Sequence, residues 1–255
     1  MNDLLKNRII AISGGTKGIG KALVLAASRQ GAIVYFSGRD DVAADSICKT
    51  LGDEGKTVQY THVDLTRTEE IEKWFSLIDK KYHRLDAFVN YAGVTDSATL
   101  VACEEDTYNA IFDVDMRAAF FCAKYAIQIM MKKNIGTILF FGSPHDDKGE
   151  PDRAAYACAK AGLKVLSTHI SKYYARYGIK SNYITTGWTP TEGELKHRAE
   201  QGMTPEELNK FASQIIPSGS MQTVEDYIPI SLLLLSNYGD AISGADIRMT
   251  GGLYF

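Results

Sequence analysis

Short apolar runs alternate with amphipathic stretches along most of the chain. Seven runs rich in β-branched and other apolar residues have the length and pattern of buried strands, at 8–13, 32–37, 57–63, 85–90, 136–141, 179–184 and 245–249. Helix-forming composition or amphipathic periodicity predicts helices at 21–30, 42–54, 68–82, 104–132, 154–177, 205–216 and 224–236. Because strands that alternate with helices pair in parallel through right-handed crossovers, the pattern predicts an α/β fold: one doubly wound parallel sheet with helices on both faces. No repeat or linker interrupts it, so we expect a single domain over 1–255.

The pattern loosens after the sixth predicted strand. Charged residues there are interrupted by Gly187, Pro190, Gly193 and Gly202. A mixed-charge run within this stretch is typical of a solvated helix face and consists of Glu192, Glu194, Lys196, His197 and Arg198. Because active-site loops commonly close over bound substrate, we expect 186–220 to form a substrate lid within the single domain.

Composition places the chain among ordinary globular proteins. Charged residues make up 23% and apolar residues 45%, which argues against disorder. The net charge of −3 offers no basic stripe, so we expect no nucleic-acid partner. The longest apolar run, 228–235, is too short to span a bilayer, and 1–8 lead into the first strand without a signal-peptide pattern. The four cysteines have no metal-binding spacing and indicate reduced thiols, so we expect a cytoplasmic protein that binds neither metal nor membrane.

A glycine-rich loop lies directly between the first strand and the first helix. Residues 14–20 read Gly-Gly-Thr-Lys-Gly-Ile-Gly. In this context glycines let the backbone approach a pyrophosphate, which then sits on the amides and positive dipole of the helix N-terminus. The loop predicts dinucleotide binding by Gly14, Thr16, Lys17, Gly18, Ile19 and Gly20.

Two other interpretations of this loop remain open. Gly15, Gly20 and Lys21 fit a P-loop frame, but that frame needs Ser or Thr next and the chain has Ala22. The other interpretation is a glycine turn that binds no ligand.

The end of the second strand indicates which dinucleotide binds. Gly38 stands where an acidic residue would bind the ribose 2′-hydroxyl, and Arg39 follows it. A guanidinium suits a 2′-phosphate, and Lys17 can approach the same place. We therefore expect NADP(H) in preference to NAD(H). The alternative is that Arg39 is a surface charge partly neutralised by Asp40.

Tyr156 and Lys160 are four residues apart in a predicted helix and so share one helical face. A cation about 4 Å from a phenolate is worth roughly 4 kcal/mol at an effective dielectric of about 20, enough to lower a phenol's pKa by up to about 3 units. Tyr156 is then a candidate proton donor or acceptor near neutrality. Ser143, at the end of the preceding strand, is a candidate to hold the reacting oxygen. On its own, such a Tyr/Lys pair is more often a solvated helix face.

Together these motifs resemble those of the short-chain dehydrogenase/reductase family, over 8–252. In chain order they are Gly14-x-x-x-Gly18-x-Gly20, Asp64-Leu65, Asn90-Tyr91-Ala92-Gly93, Ser143 and Tyr156-x-x-x-Lys160. The resemblance implies a Rossmann-type sheet and a hydride that passes between nicotinamide C4 and a carbonyl or alcohol carbon. It also implies a homo-oligomer, either a tetramer or a dimer, built on the helices at 104–132 and 154–177.

The same resemblance implies roles for individual residues. Tyr156 would exchange the proton, Ser143 would orient the substrate oxygen, and Lys160 would tune Tyr156 and hold the nicotinamide ribose. Further cofactor contacts implied in this way are Asp64 and Leu65 beside adenine, then Asn90, Ala92, Gly93, Gly187 and Thr189.

Four positions depart from the family pattern. Tyr91 and Asp115 stand where the family usually has asparagines, while Thr186 and Thr250 replace a proline and an aspartate. Asp115 takes the place of a fourth catalytic residue. A carboxylate there could compete with Tyr156 for the charge of Lys160, or it could relay protons through water.

Two further residues are candidates for contact with substrate. His145 follows Ser143, with an exposed loop as the alternative; its neighbours Asp146 and Asp147 do not make a metal site, because adjacent loop residues seldom converge on one ion. Trp188 either walls the nicotinamide or substrate pocket or packs in the core.

The sequence thus predicts an NADP(H)-dependent oxidoreductase that interconverts a carbonyl and a secondary alcohol. Its substrate would be a 3-oxoacyl thioester, a small ketone or a sugar. One alternative is an NADP(H)-binding protein with impaired or no redox turnover, suggested by Asp115 and Tyr91. The other is a P-loop phosphotransferase.

Overall fold

Seven parallel strands form one sheet in the computed structural model, which describes residues 3–200 and 202–253 apart from the side chain of His197. The strands are β1 (Ile9–Ser13), β2 (Ile33–Gly38), β3 (Val58–His62), β4 (Ala87–Asn90), β5 (Gly136–Gly142), β6 (Ile179–Thr186) and β7 (Asp246–Met249). Their order across the sheet is β3-β2-β1-β4-β5-β6-β7. The predicted doubly wound parallel sheet is confirmed.

The order of the strands reverses at β1. This strand pairs with β2 on one side and β4 on the other, so that Ser13 aligns with both Ser37 and Asn90. In open α/β sheets, ligands bind outside the carboxyl ends of the strands at such a reversal. The glycine loop after β1 and the segment 91–93 after β4 therefore flank the expected binding crevice.

Helices cover both faces of the sheet. They are α1 (Gly18–Arg29), α2 (Asp41–Asp53), α3 (Thr68–Tyr82), α4 (Glu105–Phe112), α5 (Ala119–Met130), α6 (Ala154–Tyr173), α7 (Glu192–Glu200), α8 (Pro205–Ile215) and α9 (Tyr227–Leu235). One apolar core joins the sheet to α3, α5 and α6 through residues such as Trp74 and Leu163. A second joins the other face to α1, α2 and α9 through residues such as Leu23 and Leu234. Within the described ranges, no helix has both the length and the apolar character needed to cross a bilayer.

The helix predicted at 104–132 is helical without a break from 105 to 130, but its middle part is π-helical. Two α-helices, α4 and α5, are joined by a π-helical segment, Asp113–Ala118. Charged and apolar residues alternate in this segment, which reads Asp-Val-Asp-Met-Arg-Ala, and this local pattern does not specify a wider turn. The helix predicted at 154–177 also ends earlier, at Tyr173, and a short 3-10 turn follows it.

The stretch 186–220 holds two short helices outside the sheet. Its mixed-charge run forms α7, and α8 begins with a capping box in which Thr204 and Glu207 bond each other's backbone N–H. A small apolar cluster lies beneath, made of Ala212, Ile216, Leu253, Trp188 and Met221. The stretch thus packs on its own small core, separate from the two cores of the sheet.

Candidate active site

Ser143, Tyr156 and Lys160 lie near the carboxyl end of β5. Ser143 directly follows β5 and begins a 3-10 turn, Pro144–Asp146. Tyr156 and Lys160 lie in the first two turns of α6, with the Lys160 ammonium 5.4 Å from the centre of the Tyr156 ring. Ser143 and Lys160 are buried, whereas Tyr156 is only half-buried. The phenol is therefore open to a reactant, and the ammonium beside it is shielded from water.

A buried tyrosine of β6, Tyr183, links the two parts of this group. Its Oη accepts the backbone N–H of Ser143 at 3.4 Å and donates to the backbone carbonyl of Lys160 at 3.3 Å. Burial raises the pKa of Tyr183 well above its ordinary value, so the hydroxyl stays protonated at neutral pH. Tyr183 thus holds the end of β5 against α6. Sequence reasoning missed it, because only its inward position on β6 distinguishes it from other tyrosines.

A network of charges lies behind the Ser143 turn. Lys164 of α6 is 3.3 Å from Asp146 and 2.8 Å from Asp246, and Asp147 lies 3.8 Å away. The side chain of Asp146 is fully buried, and burial raises the pKa of this carboxyl although Lys164 opposes the shift. The network ties the turn after Ser143 to both α6 and β7.

Asp115 contacts Lys160 from the π-helical segment. Its Oδ1 lies 3.3 Å from Lys160 Nζ and accepts the backbone N–H of Val94 at 3.2 Å. Both side chains are buried, Asp115 with 0% and Lys160 with 6% of the side chain exposed. Gly93 lies against the pair, and a Cβ on it would stand 2.5 Å from Asp115 Oδ1. The segment after β4 and the π-helical turn therefore close around Lys160.

Burial and charge oppose each other in this pair. Burial raises the pKa of Asp115, and the nearby Lys160 only partly offsets this shift. Burial alone would lower the pKa of Lys160, but the charges of Asp115 and Tyr156 outweigh it and raise that pKa. Asp115 Oδ2 is buried without a hydrogen-bond partner among the described residues. Lys160 thus shares its charge between Asp115 and Tyr156.

The glycine loop has the features of an anion cradle. Gly14 has a φ of 71°, and a Cβ there would lie 2.7 Å from the backbone N of Ala92, so only glycine fits this close approach. Helix α1 begins just after Lys17 without a side-chain cap and with no acidic residue in its first turn. Lys17 itself pairs with Asp40 at 2.9 Å, not with a neighbour in the loop. The uncapped N-terminus therefore fits a bound pyrophosphate.

Tyr91 lies between the glycine loop and Lys160. Its ring packs edge-on against Phe141, with the centres 5.5 Å apart, and its hydroxyl bonds the backbone of Ile19. A Cβ on Gly18 would lie 3.2 Å from this hydroxyl. Burial raises the pKa of Tyr91, against the opposing charge of Lys160. Sequence reasoning noted Tyr91 only as a departure from a motif, since its position depends on contacts between distant segments.

The end of β2 leaves no room for an acidic side chain. A Cβ on Gly38 would lie 2.7 Å from the Thr16 methyl group. Arg39 is exposed and has no ion pair with the carboxylates that the structure describes. Asp64 accepts hydrogen bonds from both the backbone and the hydroxyl of Thr66, which lower the pKa of Asp64, and Arg39 contributes to the same shift. The end of β2 therefore presents an exposed guanidinium without an ion pair among the described residues, near the hydrogen-bonded carboxylate of Asp64.

Two other predicted cofactor residues lie along the same edge. Leu65 packs, partly buried, against the core on the α3 side of the sheet. Asn90 ends β4, where its Oδ1 accepts the hydroxyl of Ser13 at 3.3 Å. Its Nδ2 is buried without a partner within the described ranges. Asn90 thus keeps an unused donor at the crevice.

Gly187 and Thr189 lie at the start of the 186–220 stretch, where the chain leaves β6. Tyr227 Oη accepts the backbone N–H of Gly187 at 3.1 Å and lies 2.9 Å from Thr189 Oγ1. Thr191, two residues further on, reaches the glycine loop: a Cβ on Gly18 would lie 3.3 Å from its methyl group. Sequence reasoning missed Thr191, although it precedes the charged run directly.

Trp188 packs within the 186–220 stretch. Its Nε1 donates to Glu194 at 2.6 Å, and its ring lies edge-on to Phe211 with the centres 6.0 Å apart. The guanidinium of Arg198 lies 5.0 Å from the ring centre and bonds the same carboxylate at 2.7 Å. These contacts order the stretch internally.

His145 lies beside Tyr156, with the two ring centres 5.9 Å apart. Burial, with a smaller contribution from Arg153, lowers the pKa of His145 to about 4. The imidazole is therefore neutral at physiological pH. It can accept or donate a hydrogen bond beside Ser143 without adding charge.

The chain is similar to known proteins over nearly its whole length. A family model described as enoyl-(acyl carrier protein) reductase matches residues 14–254. The 3-oxoacyl-(acyl-carrier-protein) reductase FabG of Haemophilus influenzae is 28% identical over 250 residues, covering 98% of this chain and 99% of that protein. The 2-(S)-hydroxypropyl-CoM dehydrogenase 3 of Xanthobacter autotrophicus is 28% identical over 253 residues, covering 99% of each. A solved gluconate 5-dehydrogenase of Burkholderia cenocepacia, in complex with NADP and tartrate, has a TM-score of 0.89 at 23% identity and covers 99% of this chain and 97% of that one.

The doubly wound sheet with its glycine loop defines a dinucleotide-binding α/β protein. The chain belongs to the short-chain dehydrogenase/reductase family, because the family model matches nearly all of it. It is accordingly an oxidoreductase that acts on CH–OH and C=O groups.

Proposed function

We propose that this protein interconverts a carbonyl and a secondary alcohol with NADP(H), and that Tyr156 exchanges the proton. One observation carries the proposal: α6 holds Tyr156 half-exposed beside the buried Lys160, at the same edge of the sheet as the glycine loop. A phenol that is open to a reactant and lies next to a shielded cation is suited to act as a general acid or base.

The side chains of the site divide the work of the reaction. When bound, the nicotinamide cofactor would provide the hydride chemistry, as donor in reduction and as acceptor in oxidation. In reduction, Ser143 donates a hydrogen bond to the substrate oxygen, and Tyr156 gives that oxygen its proton. Lys160 stabilises the phenolate that remains, while Asp115 takes part of the Lys160 charge. The positioning of Ser143 rests on Tyr183 and on the charge network behind its turn.

The residues proposed to hold the cofactor surround the crevice at the reversal of the sheet. The uncapped start of α1 would receive the pyrophosphate, and Lys160 the nicotinamide ribose. The full set is Gly14, Thr16, Lys17, Gly18, Ile19, Gly20, Arg39, Asp64, Leu65, Asn90, Ala92, Gly93, Tyr156, Lys160, Gly187 and Thr189.

A preference for NADP(H) over NAD(H) is supported by the end of β2. Thr16 fills the space that an acidic side chain at Gly38 would need, so no carboxylate is there to bind a 2′-hydroxyl. Arg39 offers an exposed guanidinium that suits a 2′-phosphate. Lys17 belongs to the same rim, but its pairing with Asp40 makes it the secondary contact.

The relatives support a carbonyl substrate without naming it. FabG is a 3-oxoacyl reductase and the Xanthobacter protein is a dehydrogenase, so a 3-oxoacyl thioester, a small ketone and a keto-sugar are all candidates. Ser143, His145, Tyr156 and Trp188 would line the substrate side, and 186–220 would act as a lid over it.

Oxidation of NADPH tests the proposal directly. Purified protein would be assayed against 3-oxoacyl thioesters, small ketones and keto-sugars, with Tyr156→Phe as the control. Turnover that depends on Tyr156 supports the proposal. NADPH binding without turnover would instead favour the binding protein, for which the Asp115–Lys160 pair is the specific observation. ATP binding with Mg²⁺ would favour the phosphotransferase.

We also propose that the protein is a cytoplasmic homo-oligomer, a tetramer or dimer, built on α4–α5 and α6. Apolar side chains are exposed on these helices, including Tyr108, Phe120 and Val165. A surface groove of about 430 Å³ runs along α4 and α5 beside Phe112 and Phe120. Sedimentation of the protein and of Phe120→Glu tests this interface, since a charge there should yield smaller species.

A further inference from the structure

Arg153 lies at the mouth of the active site. It is the residue just before α6, three positions ahead of Tyr156, and its guanidinium is 6.0 Å from the centre of the Tyr156 ring. We propose that the substrate carries an anionic group, a carboxylate or a phosphate, close to its reacting carbon, and that Arg153 binds this group. The inference rests on the proposed function and narrows its substrate class.

The segment around Arg153 is anchored to the loop after β4. One guanidinium nitrogen, Nη1, donates to the carbonyl of Thr95 at 2.7 Å. The backbone N–H of Ala98 donates to the carbonyl of Asp152 at 2.9 Å, and Ala98 and Arg153 form a parallel bridge. Because the arginine is held from two sides, its planar fork is oriented before a ligand arrives, which lowers the entropic cost of binding.

The charge of Arg153 is not neutralised by an ion pair within the part of the chain that the structure describes. Arg153 forms no ion pair with any carboxylate of the described residues. Of its five N–H donors, one is used in the hydrogen bond to the Thr95 carbonyl. A half-buried guanidinium with open donors is suited to a carboxylate or phosphate, which it can bind through two parallel hydrogen bonds.

The neighbouring charges leave this role to Arg153. Arg153 interacts electrostatically with Glu150 without forming an ion pair. Glu150 lies 3.9 Å from the His145 ring, and burial raises the pKa of Glu150. Arg198, across the mouth, is paired with Glu194 at 2.7 Å. Lys160 is engaged by Asp115, and His145 is neutral. Asp152 is exposed to solvent, where its charge is screened.

The anionic group takes no part in the bond changes. In reduction the carbonyl carbon receives the hydride from the nicotinamide, the C=O π bond breaks, and the oxygen takes the proton of Tyr156. Binding of the anion by Arg153 fixes the carbonyl relative to Tyr156, so its effect falls on substrate affinity and orientation.

Matched substrates that differ only in charge test the assignment. NADPH oxidation would be measured with acetoacetate and levulinate against their methyl esters, and with dihydroxyacetone phosphate against dihydroxyacetone. The two kinds of pair separate a carboxylate from a phosphate. Wild-type protein, Arg153→Gln and Arg153→Lys would be compared, with Arg176→Gln as control. Arg176 is exposed in the turn beyond the far end of α6, and that end lies about 25 Å along the helix from Tyr156.

The expected result is selective loss. Arg153→Gln should raise KM for the preferred anionic substrate roughly ten- to a hundred-fold, the value of a charged hydrogen bond, and leave its neutral partner within about threefold. Arg153→Lys should recover part of the loss, and Arg176→Gln should change nothing. Equal use of the charged and the neutral member of every pair by the wild type would overturn the assignment. So would a preference for a 3-oxoacyl thioester that Arg153→Gln does not alter.

Two further outcomes separate this inference from the proposed function. If Arg153→Gln slows charged and neutral substrates alike and shifts the pH profile, Arg153 acts on Tyr156 and the anion assignment is wrong. If no carbonyl is reduced, the proposed function fails. Calorimetry with levulinate and with dihydroxyacetone phosphate on the NADPH-loaded protein then tests the anion site by itself. Binding that Arg153→Gln abolishes would still support the anion site, and absence of binding would overturn it.

Discussion

Asp115 Oδ1 and Lys160 Nζ lie 3.3 Å apart, and both side chains are withdrawn from solvent. The pair lies beside Tyr156, so the cation that should favour the phenolate is shared with a carboxylate. We expect this division of charge to decide whether the protein works better as a reductase or as a dehydrogenase.

Replacing Asp115 with asparagine should shift the pH profile of alcohol oxidation toward lower pH. The neutral amide leaves more of the Lys160 charge to the phenolate, and oxidation requires the phenolate. Ketone reduction requires the phenol and should change less. The measurement is kcat/KM for oxidation from about pH 6 to about pH 10. Asp113→Asn is the control, since Asp113 pairs with Arg117 on the same segment and is partly exposed. An unmoved profile would show that Asp115 does not act on Tyr156.

Tyr156→Phe should lower kcat at least about a hundred-fold, because it removes only the transferable proton. The affinity for NADPH, measured by fluorescence titration, should barely change. Lys160→Ala should damage both turnover and cofactor binding, since we propose that Lys160 serves both. Tyr173→Phe is the matched control on the exposed end of α6. Near-normal rates in Tyr156→Phe would place the chemistry elsewhere.

Arg39→Ala should weaken NADPH binding roughly ten- to a hundred-fold, the value of one charged hydrogen bond. The affinity for NADH should change little, because NADH lacks the 2′-phosphate. Isothermal titration of both nucleotides measures the difference, with Arg29→Ala as control because Arg29 is engaged by Glu54. Equal losses for the two nucleotides would contradict the NADP(H) assignment.

His145 should make folding stability fall in mild acid. Its pKa drops from 6.5 to about 4 on folding, because burial favours the neutral ring. The unfolded chain therefore binds the proton first, and the stability that His145 contributes is full above pH 6.5 and lost as the pH falls toward 4. His145→Gln should accordingly show a shallower decline of Tm between these values than wild type. His169→Gln, on the exposed side of α6, should follow wild type. Parallel curves for all three proteins would refute the burial argument.

Lys164→Met should destabilise the protein by roughly 2–3 kcal/mol. It leaves the fully buried Asp146 without its cation, a loss that partial exposure of Lys164 moderates. Urea unfolding measures the change. Lys132→Met, which removes a partly exposed pair with Asp79, should cost less than about 1 kcal/mol. Similar losses for the two variants would mean that the network behind Ser143 is only a surface feature.

The strands and the catalytic helix were predictable from local pattern. Parallel strands buried on both faces are continuous apolar runs, as Ile9–Ser13 illustrates. The separation of Tyr156 from Lys160 follows from helix geometry alone once one helix contains both. These features need no knowledge of the rest of the chain.

The contacts that modify the site were not predictable in this way. The pairing of Asp115 with Lys160 joins residues that are distant in sequence and depends on a π-helical turn that the local sequence does not specify. The sequence predicts Lys17 near the cofactor's 2′-phosphate but does not indicate its ion pair with Asp40, which also caps α2. Tyr91 reaches the glycine loop only because β1 and β4 are neighbours in the sheet. Each contact results from tertiary packing.

Because Asp113–Ala118 is π-helical, the number of residues in this region sets the rotation of α4 relative to α5. A π turn contains one more residue than an α turn. This extra residue rotates the side chains of α4 by about 100° about the helix axis relative to those of α5. Deleting a single residue there would restore an unbroken α-helix but carry Asp115 away from Lys160, or else turn the outer face of α4 out of line with that of α5. The site and the surface groove on these helices are therefore matched through one extra residue, so an insertion or deletion here acts on both at once.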